Sequence, residues 1–130
     1  MFVLGSAFMM RKPGREKEHL WILITEPDPE TNEAVMVNVT SEKSHSIDRT
    51  TVLQDGEHRF IEHSSIVYYA DARIVDVTSL EKGVPVGICR PDDDCSNELL
   101  GKLQKGLMAS TFTPEKIQKF FKKAEENGLT

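Results

Sequence analysis

Cysteine is scarce: the 130-residue chain has only Cys89 and Cys95. They flank an acidic loop and form no paired C-x-x-C arrangement, which removes a zinc knuckle. Two free thiols in a reducing compartment are expected, with a disulfide across the short loop as the alternative. A long apolar run is also lacking. Met1 to Met10 is apolar for only a few residues and gives way at once to Arg11-Lys12-Pro13-Gly14-Arg15-Glu16-Lys17-Glu18. That is too short for a signal core or a membrane span, so no membrane element and a cytoplasmic location are expected. Excess positive charge is missing as well. A formal charge of −5 argues against a protein that coats polyanions generally and leaves room only for a local basic patch. Repeats and low-complexity tracts are absent.

What remains is a chain about two-fifths apolar (38%), long enough for one hydrophobic core and too short for two ordinary domains. Gly5 to Met10 reads as a short strand closed by the Lys12-Pro13-Gly14 turn. His19 to Thr25 contains the unbroken run Leu20-Trp21-Ile22-Leu23-Ile24 and is predicted to be a central strand buried on both faces. Pro27-Asp28-Pro29 ends it, and Ala34 to Thr40 is a β-branched run that forms the antiparallel neighbour. Ser41 to Thr50 is polar, with little to bury, and reads as a surface loop. Thr51-Val52-Leu53, Ile66 to Tyr69 and Arg73 to Val77 supply further β pieces.

Gly83 to Asp94 is punctuated by proline and glycine and marks the change from β to α. Ser96 is placed to cap a helix in which Leu99, Leu100, Leu103 and Leu107 recur at helical spacing. Thr113-Pro114 predicts a second helix start, a capping side chain followed by proline at the first helical position. In that helix Ile117, Phe120, Phe121 and Ala124 share one apolar face, and Asn127-Gly128 stops it. The expected architecture is therefore mainly β with two C-terminal amphipathic helices: a barrel-like body over 1–82 and a helical extension over 83–130 packed on it.

The four histidines are the natural candidates for chemistry. His19 stands at the mouth of the buried strand, where the sheet can fix it while it still reaches solvent. His45, His58 and His63 lie between the second strand and Tyr69, with Asp48 among them. His58 and His63 are five apart and match no metal-ligand signature, so no metal or other cofactor is expected. An imidazole can serve as general acid or base near neutral pH. Cleaving RNA without a metal needs such a base, an acid for the leaving oxygen and donors on the phosphate, and Thr40, Ser41 and Arg73 are of the right kind. The competing interpretation is structural, with His58 in a turn and His63 pinning the next strand. Trp21 could stack on a base, although a tryptophan in an apolar run is more often core. The lysines of the two helices and the run Asp92-Asp93-Asp94 suit a solvated helix face and an ordinary acidic helix approach.

Ala34-Val35-Met36-Val37-Asn38-Val39-Thr40-Ser41 resembles the strand of MazF/PemK-like toxins that ends in a catalytic threonine or serine. Ser65 to Asp76 follows that family's pattern of a serine, a β run, an arginine and an aspartate. With the two preceding strands, the likeness spans most of Gly5 to Leu80. It implies an SH3-like barrel, metal-independent cleavage of single-stranded RNA, a homodimer and a neutralising antitoxin protein. Where the family places an Arg-Pro pair just before its second strand, with that arginine on the scissile phosphate, this chain has His19-Leu20. A histidine there is not permanently charged. The resemblance thus leads to two expectations. One is an endoribonuclease in which His19, Thr40 or Ser41, and His58 or His63 carry the chemistry, with Asp48, Arg73 and Trp21 contacting substrate. The other is a barrel that kept its shape, lost cleavage and binds a protein partner or nucleic acid.

Overall fold

The structure, a computed structural model, describes residues 1–130. Its frame is a seven-stranded sheet in which every pairing is antiparallel. The strands are β1 (Ala7–Arg11), β2 (Glu18–Leu23), β3 (Glu33–Ser41), β4 (Val52–Leu53), β5 (Ser65–Val67), β6 (Arg73–Asp76) and β7 (Cys89–Asp92). The helices are α1 (Val77–Gly83), α2 (Asn97–Ala109) and α3 (Glu115–Glu126), and a 3-10 turn covers Tyr69–Asp71. The hydrogen-bonded path runs β4-β5-β3-β2-β1-β7, with β6 also on β3, and it does not close on itself.

Alternation along the strands explains the layers. Successive side chains point to opposite faces, so Leu20, Ile22 and Ile24 of the β2 run join Val35, Val37 and Val39 on one face. Against them pack Leu99, Leu103 and Leu107 of α2 and Ile117 and Phe121 of α3. Trp21 and Leu23 join Phe8, Ala34 and Met36 on the other face, covered by Val77 and Leu80 of α1 and by Phe2. A strand covered on both sides has no reason to alternate with polar residues, which is why Leu20 to Ile24 is apolar throughout. All five of these side chains are buried.

The helix-side layer is closed by a tight contact. The Tyr69 hydroxyl donates to the Leu103 carbonyl at 3.0 Å and lies 2.8 Å from the Thr51 hydroxyl. Gly106 of α2 sits against both groups, and a Cβ there would collide with each of them. Ser96 caps α2 by accepting from the Leu99 N–H, as its position predicts.

Four local expectations are corrected. The segment 83–94 is more than a connection, because Cys89 to Asp92 pairs with β1 as an edge strand. Pro91 concealed it: proline removes a ladder donor and is tolerated only where one side of the strand is unpaired. The expected helical extension therefore begins with a strand of the sheet. The β piece from Arg73 stops at Asp76, whose carboxylate accepts from the Thr78 N–H and caps α1, a helix not expected there. Pro114 is the N-cap of α3 and makes no side-chain cap bond, while the Thr113 hydroxyl donates back to the Leu107 carbonyl at 2.7 Å. The loop after β3 does bury something: Asp48 is almost wholly enclosed. Cys89 and Cys95 are free thiols, and burial raises both to about 11, so neither is a ready nucleophile at neutral pH.

Candidate functional site

The second face of the sheet is covered only where α1 reaches. Beyond Trp21 it opens into a cleft of about 1000 Å³ lined by Lys12, Arg15, Lys17, His19, Thr40, Ser41, Tyr68, Asp71 and Arg73, among others. The strand register brings these residues together. Met10 pairs with His19 across β1 and β2, Trp21 with Asn38 across β2 and β3, Thr40 with Ile66 across β3 and β5, and Met36 with Arg73 across β3 and β6. Residues far apart in sequence thereby share one surface. The cleft's cations, Lys12, Arg15, Lys17, Lys43 and Arg73, outnumber its carboxylates, Glu16, Asp48 and Asp71. A chain of net charge −5 thus carries a locally basic concave surface.

His19 is half-buried on the cleft wall. Its pKa is lowered, first by burial and then by Lys12 and Lys17, against smaller opposing effects of the Val39 carbonyl and Asp71. The ring is therefore neutral at neutral pH and able to accept a proton. Asp71 lies at the centre of the polar cluster. Lys12 Nζ is 2.6 Å from its Oδ2, Arg73 Nη2 is 3.5 Å from Oδ1, and the Asn38 amide donates to Oδ2 at 3.5 Å. Burial works to raise the Asp71 carboxyl, but Lys12 and Arg73 outweigh it and hold the group below its ordinary value. The side-chain oxygen of Asn38, Oδ1, is buried and has no hydrogen-bond partner. Arg73 also lies over the Trp21 ring, 5.2 Å from its centroid. Its one acceptor is long, so most of its N–H groups remain available to a phosphate.

Of the residues singled out from sequence, His19, Thr40, Ser41, Asp48 and Arg73 line this cleft, whereas Trp21, His58 and His63 do not. Trp21 is a correction: it is fully buried, its indole N–H donates to the Met10 carbonyl at 3.2 Å, and Arg73 covers its face. No surface is left for a base. His58 is a second correction. It is buried, its Nδ1 accepts from the Phe60 N–H at 3.2 Å, and its Nε2 lies 2.7 Å from the Asp93 carbonyl. The ring proton therefore sits on Nε2, both nitrogens are engaged, and the structural interpretation holds for this histidine.

His63 is exposed, with Nε2 2.7 Å from the Ser41 hydroxyl, so it touches the cleft through Ser41 alone. Asp48 lies under the cleft with its carboxylate occupied by the Thr50 N–H and the Ser110 hydroxyl, and its work is to fasten the loop after β3 to the end of α2. No three His, Cys, Asp or Glu side chains gather as metal ligands would.

Lys12, Tyr68 and Asp71 escaped sequence reasoning. Tyr68 and Asp71 stood inside the Ser65 to Asp76 segment without being singled out. By sequence Lys12 belongs to a turn, although its position two residues past Met10 sets it on the face shared with Phe8. No protein-family model and no curated protein matches this chain, and no helix is long and apolar enough to cross a membrane.

Proposed function

We propose that this protein is a divergent toxin-like endoribonuclease that binds single-stranded RNA in the cleft and cuts it without a metal. One observation carries the reading: His19, Thr40, Ser41 and Arg73, drawn from three different strands, line one basic cleft of an otherwise acidic chain. Arg73 and the Thr40 hydroxyl hold the non-bridging phosphate oxygens. Neutral His19 takes the proton of the 2′-hydroxyl, and the freed 2′-oxygen attacks the neighbouring phosphorus. As the bond from phosphorus to the 5′-oxygen breaks, the leaving oxygen takes the Ser41 hydroxyl proton, which His63 in its imidazolium form replaces from Nε2. The products are a 2′,3′-cyclic phosphate and a 5′-hydroxyl. His19 then releases its proton to solvent and exposed His63 recovers one. The same reading carries an SH3-like barrel opened between β4 and β7, a homodimer, a neutralising antitoxin protein and a cytoplasmic location.

Chelator-treated protein incubated with a mixed RNA pool should leave cyclic phosphate ends, and the cutting should be lost in His19→Ala and Arg73→Ala. Absence of cutting by folded protein from mildly acidic to mildly basic pH defeats the proposal, as does cutting that survives both substitutions. A second reading, a groove that binds nucleic acid and leaves it intact, is favoured by Asp71, which already engages Lys12 and touches Arg73. It requires oligonucleotide binding with no product.

A further inference from the structure

We propose that Tyr68 is the platform on which an unpaired nucleobase stacks when the neighbouring phosphate lies on Arg73. The inference rests on the RNA-binding reading and adds to it the contact that would select single strands.

A groove that holds single-stranded nucleic acid combines cations for the backbone with an accessible aromatic face for a base. The cations are those already described. For the aromatic face, Tyr68 is the one phenylalanine, tyrosine or tryptophan in the cleft wall, and it is 38% exposed. The other exposed aromatic rings lie elsewhere. Phe60 stacks on His58 and under Arg59, Phe112 belongs to the link between α2 and α3, and Trp21 is sealed.

Tyr68 is also held in place as a platform must be. Its N–H donates to the Asn38 carbonyl at 3.1 Å, and its own carbonyl accepts from the Asp71 N–H at 3.0 Å, which locks it between β5 and the 3-10 turn. Lys12 Nζ stands 5.2 Å from the ring centroid while bound to Asp71. A cation is therefore fixed over one face of the ring, and the base stacks on the opposite face. Little ordering is left for binding to impose. In a duplex both faces of a base are already stacked on its neighbours, so only an unpaired base can use the ring.

The test measures binding of 2′-O-methyl RNA, which lacks the attacking hydroxyl, by fluorescence anisotropy, against the same backbone with its bases removed. The native protein should bind the abasic strand roughly 5- to 100-fold more weakly than the intact one. Tyr68→Leu should bind both strands at the abasic level, and Tyr68→Phe should keep the preference, since the ring and not the hydroxyl is at work. Equal affinity of the native protein for the two strands overturns the inference while leaving phosphate binding in the cleft intact. An unchanged preference in Tyr68→Leu, with its thermal unfolding as in the native protein, overturns it too. Absence of binding to either strand by the folded native protein removes the RNA reading itself, and the inference with it.

Discussion

The two faces of the sheet are built from the same strands and end differently. On one face Leu20, Ile22, Val35, Val37 and Val39 meet two helices whose leucines, isoleucine and phenylalanine cover them to the strand ends. On the other, α1 is a single short helix of 7 residues, and its cover stops near Trp21. The next positions on that face, His19, Asn38, Thr40 and Arg73, therefore meet either solvent or each other. Where a helix continues over the sheet, alternation makes core; where the helix runs out, the same alternation makes a cleft lined by polar side chains. The candidate site is the uncovered part of a face whose covered part is an apolar layer.

Substitutions can break that contrast, and each should act on one face and spare the other. The largest effect is expected in the cleft. His19→Ala should lower the rate of RNA cleavage about 10²- to 10⁴-fold, the range for removing a general base, with the unfolding midpoint in urea nearly unchanged. Leu103→Ala, on the covered face, should do the reverse. It empties a fully buried site of α2 and should cost about 2–5 kcal/mol in chemical denaturation. Specific cleavage per folded molecule should survive.

Gly106→Ala tests the tightest contact of that face. A Cβ meets both Thr51 and Tyr69, so a loss of roughly 1–3 kcal/mol is expected from overpacking. A stabilised variant, as glycine to alanine normally gives within a helix, would mean that α2 can move away. His58→Ala separates a structural imidazole from a catalytic one. It leaves the Phe60 N–H and the Asp93 carbonyl without their partner and should cost about 1–3 kcal/mol of stability, with cleavage per folded molecule unaltered.

The smallest effect is the pH response of His19. Its folded pKa is lowered from the ordinary 6.5, chiefly by burial, so below 6.5 the unfolded chain takes up the proton more readily than the native one. Stability is unaffected by this group above 6.5, falls as the pH drops from there through the lowered folded value, and then levels off. His19→Gln should flatten that part of the profile. The acid limb of kcat/KM should likewise have its midpoint below 6.5, because the free enzyme's base stays neutral until then.

Much of this molecule was legible in the sequence, because the strands and the two long helices are specified locally. An apolar run bounded by turns, a β-branched run, leucines at helical spacing and a serine before a helix each act over a few residues. Those signals placed β2, β3, α2 and α3 within a residue or two. Local signals misled where a residue has two uses. Pro91 suits a loop or an edge strand, Asp76 suits a strand end or a helix cap, and only the pairing partner decides between them.

The site itself depends on register. Composition identified His19, Thr40, Ser41 and Arg73 as capable of acting on a phosphodiester, but no spacing along the chain says that they meet. Met10 opposite His19 and Met36 opposite Arg73 bring His19 and Arg73 to the face of Thr40, and Ser41 reaches the cleft from the end of β3. A slip of one residue would turn His19, Arg73 and Thr40 away from that face. Tertiary packing alone also separated the histidines, enclosing His58 against the Asp93 carbonyl while leaving His19 on the cleft wall. The sequence determined the elements and their apolar faces, since backbone preference and hydrophobic spacing are local. The three-dimensional structure decided which polar groups share a surface, since that depends on strand pairing and on how far each helix extends across the sheet.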